Sequence, residues 1–255
     1  MPASEQRAEH SAQQSTAAFR AEPAAGITLT QFTQLIWTIA AKDLRSELRT
    51  KEAINASVAF SIVILVLFSF AFDPSSEQLQ EFSGGLLWLV FSFAGALVLN
   101  RSFARETQND CLDGLLASPA PASALFLGKS LANFVLLIVV EFVSLPVFAL
   151  FYNLHWSGQF WPLVLVMLLG TWALTMIGTV FSALTVNLRL RELMLPTLVY
   201  PLMIPALMSA MTLTTDFLSG IPLGPDNMIW VRLLVAFDFI FTAVSIAVID
   251  SVLVG

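Results

Sequence analysis

The 255-residue sequence predicts an all-α integral membrane protein, with six membrane-spanning helices and an amphipathic helix before the first of them. Three observations predict this class: 12% of the residues are charged, 57% are hydrophobic, and the mean hydropathy is +0.80. Soluble domains carry about 25% charged residues, so this chain has roughly half the usual polar surface. Its net charge of -6 also argues against nucleic-acid binding. The composition therefore excludes an ordinary soluble enzyme, a nucleic-acid binder and a disordered chain.

The first 27 residues differ in composition from the sequence that follows them. They are rich in Ala, Gln, Ser and Glu, and they contain no apolar run of the length that a signal peptide needs. We expect a disordered cytoplasmic tail over residues 1–27 and one membrane domain over residues 28–255.

A segment over residues 30–50 has the pattern of an amphipathic helix. Its apolar residues recur close to helical spacing, and its charged residues fall mostly at the other positions. Such a helix is suited to lying in the membrane interface before the chain enters the bilayer. The apolar positions are Phe32, Leu35, Ile36, Ile39, Leu44 and Leu48.

Six stretches have the apolar character of a transmembrane helix, which needs about 20 residues. The fifth stretch contains Pro196, Pro201 and Pro205, and each proline removes a backbone donor. We therefore expect this span to be kinked or interrupted and to be supported by neighbouring helices. The six stretches cover approximately residues 55–72, 84–99, 131–151, 160–186, 193–213 and 229–249.

The basic residues indicate the orientation of the spans. Eleven of the twelve Lys and Arg residues precede the first span or lie in the second and fourth loops, and the other loops carry acidic residues instead. The exception is Arg232, near the start of the last span, whose side chain can reach the membrane surface. An even number of spans with both termini in the cytoplasm satisfies this distribution.

The second loop, over residues 100–129, is the longest. Charged residues at its start are followed by a short apolar run from Leu115 and then by Pro119 and Pro121. Two interpretations remain open: a charged helix with a proline-stiffened turn that docks on a soluble partner, or a solvated loop.

Two carboxyl side chains lie inside predicted spans, Glu141 in the third and Asp238 in the sixth. A bare carboxylate at this depth costs several kcal/mol unless it is paired, protonated or hydrated. Each is a candidate for a translocation or conformational pathway, and a helix–helix hydrogen bond is the alternative. Asp238 lies six residues from Arg232, on a different helix face, so we do not expect these two to pair.

The second loop resembles the corresponding loop of the CcmB family, the membrane subunits of ABC-type haem exporters in cytochrome c maturation. The resemblance is carried by R-x-F-A-R-E, L-D-G-L-L-A-S-P-x-P and F-L-G-K. A second stretch, LRLRELMLPTLVYPLMIPAL, is similar to the fourth loop and proline-rich fifth span of the family through Arg189, Pro201 and Pro205. Many members have Asp-Gly ahead of a leucine, where Asn109 and Asp110 stand nearby here. The resemblance covers residues 35–255 and implies an ABC exporter permease fold.

The resemblance implies a permease that is not itself an enzyme and that couples to a soluble, CcmA-like ATPase. ATP would be hydrolysed on that partner, with haem as the cargo and no cofactor bound by this chain. It also implies CcmC- and CcmD-like membrane subunits, a CcmE-like haem chaperone and a homodimer within the complex. We expect the ATPase to dock on the second loop, through Arg101, Phe103, Arg105, Glu106, Asp113, Leu115, Pro119, Pro121 and Lys129.

Haem ligation needs His, Cys, Met or Tyr as an axial ligand. His155, in the third loop, is the one histidine on the expected outer side and is a candidate haem contact. The alternative is an interfacial position in an aromatic belt with Tyr152, Trp156 and Trp161. No tryptophan-rich motif like that of CcmC is present, so we expect another chain to bind haem. One cysteine and two histidines also make a metal site improbable.

The resemblance thus implies haem export, or release of a haem-loaded chaperone, in the bacterial inner membrane. ATP-driven closure of the partner dimer would push on the second loop and the amphipathic helix. A permease for another lipid or drug-like cargo is the alternative within the same architecture. An ion-driven secondary transporter is a further and less favoured alternative. It needs internal repeats and several intramembrane charges, and this sequence has no obvious repeat and only Glu141 and Asp238 as candidates. The intramembrane candidates for a functional role are Glu141, Asp238, Pro201 and Pro205.

Overall fold

The computed structural model describes residues 28–72, 77–103, 120–152, 159–185 and 191–254. Within these ranges the regular elements are all helices. They are α1 (Leu29–Thr50), α2 (Glu52–Ala71), α3 (Glu77–Leu99), α4 (Ala122–Phe151), α5 (Phe160–Thr185), α6 (Arg191–Leu218) and α7 (Met228–Val254).

Helices α2 to α7 each contain a segment long and apolar enough to cross a membrane. These segments are Glu52–Ala71, Glu81–Leu99, Ala122–Phe151, Phe160–Thr185, Pro196–Leu218 and Met228–Ile249. The prediction of an all-α integral membrane protein with six spans is therefore confirmed.

The helix of the third span begins earlier than the hydropathy pattern predicts. Helix α4 starts at Ala122, directly after the extended backbone of Pro121, whereas the sequence pattern places the start of this span at residue 131. Residues 122–129 therefore belong to a helix and not to the second loop. The pattern misses this start because Lys129 lowers the local hydropathy.

The proline-rich span is not interrupted. Helix α6 runs from Arg191 to Leu218 with Pro196, Pro201 and Pro205 inside it. Pro201 and Pro205 are both exposed, so the backbone positions that lack a donor lie on the outer side of the helix.

The helix at the centre of the bundle is α5, which packs against α3, α4, α6 and α7. In the apolar segment of α5 72% of the residues are buried, against 22% in that of α2 at the periphery. Close packing of α5 on α3 depends on Gly170, because a side chain there would clash with the indole ring of Trp88. The same indole donates to the Thr214 hydroxyl of α6 at 2.9 Å, which joins α3 to α6.

The chain falls into two units, with the boundary inside α1. Residues from Leu35 onward form one unit, which contains most of α1 and all six spans. Of the residues before Leu35, the structure describes 28–34, which form the start of α1. There the Thr28 amide donates to Gln31 Oε1 at 3.0 Å and the Gln31 amide donates to Thr28 Oγ1 at 3.4 Å, which is a capping box at the start of α1.

Tyr152 directly follows the C-terminal residue of α4, and its side chain is buried. Its hydroxyl donates to the Leu65 carbonyl of α2 at 3.1 Å. Burial raises the pKa of the Tyr152 phenol to about 12, so this side chain remains a neutral donor at any physiological pH.

Candidate functional site

The first component of the site is the corner between α1 and α2. Lys51 has a left-handed backbone conformation (φ 56°), which turns the chain from one helix into the next. Glu47 is 2% exposed, and its Oε1 accepts the amide protons of Ala53 at 2.7 Å and Ile54 at 3.2 Å. The first amides of a helix have no partner within it, so this carboxylate caps α2.

The position of Glu47 differs from the amphipathic pattern, which places charged residues of α1 away from the buried face. The buried face of α1 includes Glu47 and the partly buried Asp43, while the apolar Leu48 is exposed. Both carboxylates can face the protein because each has a partner there, a helix start for Glu47 and a lysine for Asp43.

The second component is a buried lysine. Lys129, in α4, is 1% exposed, and its ammonium nitrogen lies 3.1 Å from Asp43 Oδ2 of α1. It also donates to the Ser102 carbonyl at 2.9 Å and lies 4.9 Å from the centre of the Phe103 ring. A buried ammonium group needs such partners, since removing it from water costs several kcal/mol. We call Asp43, Ser102, Phe103 and Lys129 the lysine cluster.

A second ion pair lies at the same end of the bundle. Arg101 Nη1, just after α3, is 2.7 Å from Glu52 Oε2 at the start of α2. Both side chains are exposed, so the pair contributes at most about 1 kcal/mol to stability. Its position nevertheless shows that the end of α3, the start of α2 and the lysine cluster meet at one end of the bundle, which we call the basic end.

The structure places the predicted docking residues in different environments. Arg101 is exposed and Pro121 is partly buried ahead of α4. Phe103 and Lys129 are buried, and their side chains contact each other beside the start of the second loop. The remaining candidates, Arg105, Glu106, Asp113, Leu115 and Pro119, lie outside the described residues.

The third component is a pair of side-chain hydrogen bonds between α4 and α5, which we call the polar seam. Asn133 Nδ2 donates to Thr179 Oγ1 at 3.0 Å, and Thr171 donates to Glu141 Oε1. Glu141 follows Asn133 by eight residues in α4, and Thr171 precedes Thr179 by eight residues in α5. The two hydrogen bonds therefore fit one antiparallel packing of α4 against α5. Asn133 also donates to Ser102 Oγ at 2.9 Å, which connects the seam to the lysine cluster.

Asn133 and the threonines of this seam are not among the candidate residues predicted from the sequence. A signal was present in α5, where small polar residues recur at three- or four-residue spacing through an apolar span, a pattern typical of helix–helix contacts in membranes. All of them are buried: Thr171, Thr175, Thr179 and Ser182.

The two intramembrane carboxyl groups lie on different helices. Glu141 is 2% exposed and has one unpartnered oxygen, Oε2, while Asp238 in α7 is 7% exposed and neither of its oxygens has a hydrogen-bond partner among the described residues. Arg232 lies on the exposed side of α7 and forms no ion pair with Asp238 in the described part of the chain. His155 lies outside the described residues.

Comparison with known proteins identifies the family. The model of the CcmB protein family matches residues 34–253 of this chain. The chain belongs to the CcmB family. This match begins inside α1 and includes the lysine cluster, the polar seam and all six spans, so each component of the site lies within the CcmB part of the chain.

Several curated proteins that are similar to this chain carry the name "Heme exporter protein B". The relative from Pseudomonas aeruginosa is 33% identical over 208 residues, which are 81% of this chain and 92% of that protein. The relative from Rhodobacter capsulatus is 34% identical over 166 residues, 65% of this chain and 76% of that protein. The relative from Paracoccus denitrificans is 35% identical over 167 residues, with the same coverage of both chains.

Proposed function

We propose that this chain is the permease subunit of an ABC transporter complex that exports haem, or releases a haem-loaded chaperone, in c-type cytochrome biogenesis. Membership of the CcmB family and the names of its relatives support the haem cargo. The chain is not an enzyme in this proposal. A CcmA-like partner hydrolyses ATP, and haem is cargo and not a resident cofactor.

The observation that carries the coupling mechanism is the burial of Lys129. One ammonium group joins α1 through Asp43, the start of the second loop through Ser102, and α4 through its own backbone. A load applied to the second loop or to α1 therefore moves the basic end of α4 with it, because separating a buried lysine from its partners is costly.

The polar seam extends this connection toward the centre of the bundle. Ser102 is shared, since its carbonyl accepts from Lys129 and its hydroxyl accepts from Asn133. Asn133 then reaches α5 through Thr179, and Glu141 holds the same two helices together farther along. In this proposal α4 and α5 respond as one body when the ATPase closes.

The orientation and the partners are part of the proposal. The basic end faces the cytoplasm and both termini are cytoplasmic, because basic residues concentrate on that side of bacterial inner membranes. Residues 1–27 form a cytoplasmic tail ahead of the permease domain. The complex contains a second copy of this chain, CcmC- and CcmD-like subunits, and a CcmE-like haem chaperone outside the membrane.

The intramembrane candidates complete the proposal. Glu141 and Asp238 act in the conformational pathway, since both are buried and retain unpartnered oxygens that can accept new donors when helices shift. Pro201 and Pro205 leave backbone carbonyls of α6 without their usual helical donors, which favours bending of this helix during transport. His155 is a candidate contact for haem on the outer side.

Two measurements test the function. Deletion of the gene should abolish covalently bound c-type haem while leaving b-type haem, and the tagged protein should co-purify in mild detergent with a soluble ATPase and a tryptophan-rich membrane subunit. Retained c-type haem with a bound ATPase would contradict the haem function in favour of another cargo. Transport by the purified chain without an ATPase would overturn the ABC assignment.

Docking is tested separately by charge reversal in the second loop. The double variant Arg105→Glu/Glu106→Arg should lose the ATPase during purification, while Asp226→Lys, a reversal at an exposed position between α6 and α7, should retain it. Co-purification of the double variant at the wild-type yield would show that these residues do not form the docking surface.

A further inference from the structure

Among the residues that the structure describes, Arg232 is the basic residue that lies away from the basic end. It lies one turn into α7, within the apolar segment Met228–Ile249. Its neighbours on the exposed side of the helix are apolar, with Ile229 66% and Leu233 41% exposed. A guanidinium group cannot lose its charge at physiological pH, so on an apolar face it requires an anion or water at the membrane surface.

The protein supplies no such anion among the described residues. The acidic residues that most closely precede α7 in the sequence are Asp226 and Asp216. Neither forms an ion pair with Arg232, and Asp216 instead accepts from the side-chain amide of Asn227 at 3.5 Å. Asp238 is buried on another side of the helix. Arg232 is therefore available to a ligand.

A groove of about 600 Å³ lies beside this guanidinium group. It is more open than enclosed, and the described residues that line it are Arg232, Gly224, Pro225, Met228 and Ile229. Apart from Arg232, these walls are apolar in their side chains, so the groove combines one fixed positive charge with a surface suited to a hydrocarbon chain.

The groove is held in shape by Asn227, which is buried in the loop between α6 and α7. Its Oδ1 accepts the Gly224 amide proton at 2.9 Å, and its Nδ2 donates to the Pro222 carbonyl at 3.2 Å. These bonds fix both sides of the loop that forms the wall. A preformed groove binds its ligand with little ordering cost.

We infer that this groove binds a phospholipid from the leaflet at the start of α7, with the lipid phosphate on Arg232 and part of an acyl chain along Met228 and Ile229. Arginine suits a phosphate diester because its planar group can donate two parallel hydrogen bonds to the phosphate oxygens. The position of the charge at the end of a span places it at the depth of the lipid phosphates. This inference does not depend on the cargo of the transporter.

The test uses the full chain, purified from nanodiscs that contain phosphatidylglycerol, with retained lipid counted by native mass spectrometry. Arg232→Gln should weaken lipid binding about tenfold, which corresponds to roughly 1.4 kcal/mol and lowers the occupancy measured below saturation, and Arg232→Lys should retain part of the affinity. The control is Arg101→Gln, which removes an exposed arginine at the basic end and should leave occupancy unchanged. Equal occupancy in wild type and Arg232→Gln would overturn the site.

Three further arms identify the ligand. A phosphate-free galactolipid should not be retained, and excess inorganic phosphate should not displace phosphatidylglycerol; either contrary result would refute recognition of a lipid phosphate. Met228→Trp keeps the charge but fills the groove, and should also lower occupancy. Unchanged occupancy in this variant would remove the acyl chain from the proposal. If haem displaces the lipid from the wild type but does not bind Arg232→Gln, the groove is a cargo site and the lipid proposal is wrong.

Discussion

Asn133 in α4 donates a hydrogen bond of 3.0 Å to the hydroxyl of Thr179 in α5, at the centre of the bundle. The same side-chain amide donates to Ser102, at the start of the second loop. One uncharged group thus joins the segment that we propose to bind the ATPase to the most buried span of the protein.

Replacement of Asn133 should therefore affect the coupling of ATP hydrolysis to transport more than the assembly of the complex with its ATPase. Asn133→Leu removes one buried and one partly buried hydrogen bond, at a cost of about 1–3 kcal/mol, without altering the outer surface of the second loop. We expect the variant to retain its ATPase but to release less haem-loaded chaperone per ATP hydrolysed in the reconstituted complex. The matched control is Ser144→Ala, whose hydroxyl bonds only to the Val140 carbonyl of its own helix among the contacts described. An unchanged coupling ratio in Asn133→Leu would contradict a role in transmission.

The two lysines beside Asp43 should differ sharply in their contribution to stability. Lys129 is buried 3.1 Å from one carboxylate oxygen, and Lys42 is exposed 3.2 Å from the other. Lys129→Met should destabilise the protein by about 1–3 kcal/mol, because it removes the donor to the Ser102 carbonyl and one of the two lysine partners of Asp43, whereas Lys42→Met should cost less than about 1 kcal/mol. The melting temperature in detergent measures both.

A double variant separates the ion pair from the rest of the lysine cluster. Asp43→Asn/Lys129→Met removes both charges, so it should be more stable than Lys129→Met alone, with a coupling energy of about 1–3 kcal/mol. Additive effects of the two changes would show that Lys129 is held mainly by Ser102 and Phe103.

Glu47 should control the order of the first turn of α2. Glu47→Ala leaves the amides of Ala53 and Ile54 without their acceptor and should cost about 1–2 kcal/mol. Hydrogen exchange at these two amides should accelerate, while Glu52→Ala, at an exposed position in the same turn, should leave them protected. Protection that survives Glu47→Ala would mean that the corner is held by the packing of α1 alone.

These residues show which features can be predicted from the sequence. The six spans are predictable because membrane insertion depends on local composition over about 20 residues. The partners of Lys129 and Asn133 are not, because they lie 86 and 46 residues away along the chain and meet only when the helices pack. The charge of Lys129 indicates a loop when the sequence is read locally, and only its distant partner Asp43 allows a lysine to be buried in a helix.

The same limit applies to Glu141. Its position inside a span marks it as unusual, but two roles were open, a hydrogen bond between helices or a part in transport. The structure supplies the hydrogen bond from Thr171 and leaves Oε2 without a partner among the described residues. The second role therefore still needs a functional test.

Two variants of Glu141 distinguish these roles. Glu141→Gln keeps an acceptor for Thr171, so its free energy of unfolding should be within about 1 kcal/mol of the wild-type value. Glu141→Leu leaves the Thr171 hydroxyl without this acceptor and should lower the free energy of unfolding by about 1–3 kcal/mol. If Glu141 acts in the conformational pathway, cells that carry Glu141→Gln should nevertheless contain less mature c-type cytochrome. Full maturation by this variant would restrict Glu141 to holding α4 and α5 together.

The packing of α5 on α3 should be sensitive to a single methyl group. At Gly170 a Cβ atom would overlap the indole ring of Trp88, which is itself held by its hydrogen bond to Thr214 and cannot move freely. Gly170→Ala should therefore destabilise the bundle by about 1–3 kcal/mol. At Gly85, one turn from Trp88 in α3, a Cβ atom would meet nothing within 4 Å, so Gly85→Ala should stabilise its helix by up to about 1 kcal/mol. Opposite shifts in melting temperature for these two variants would confirm that α5 depends on close contact at Gly170, and equal shifts would contradict it.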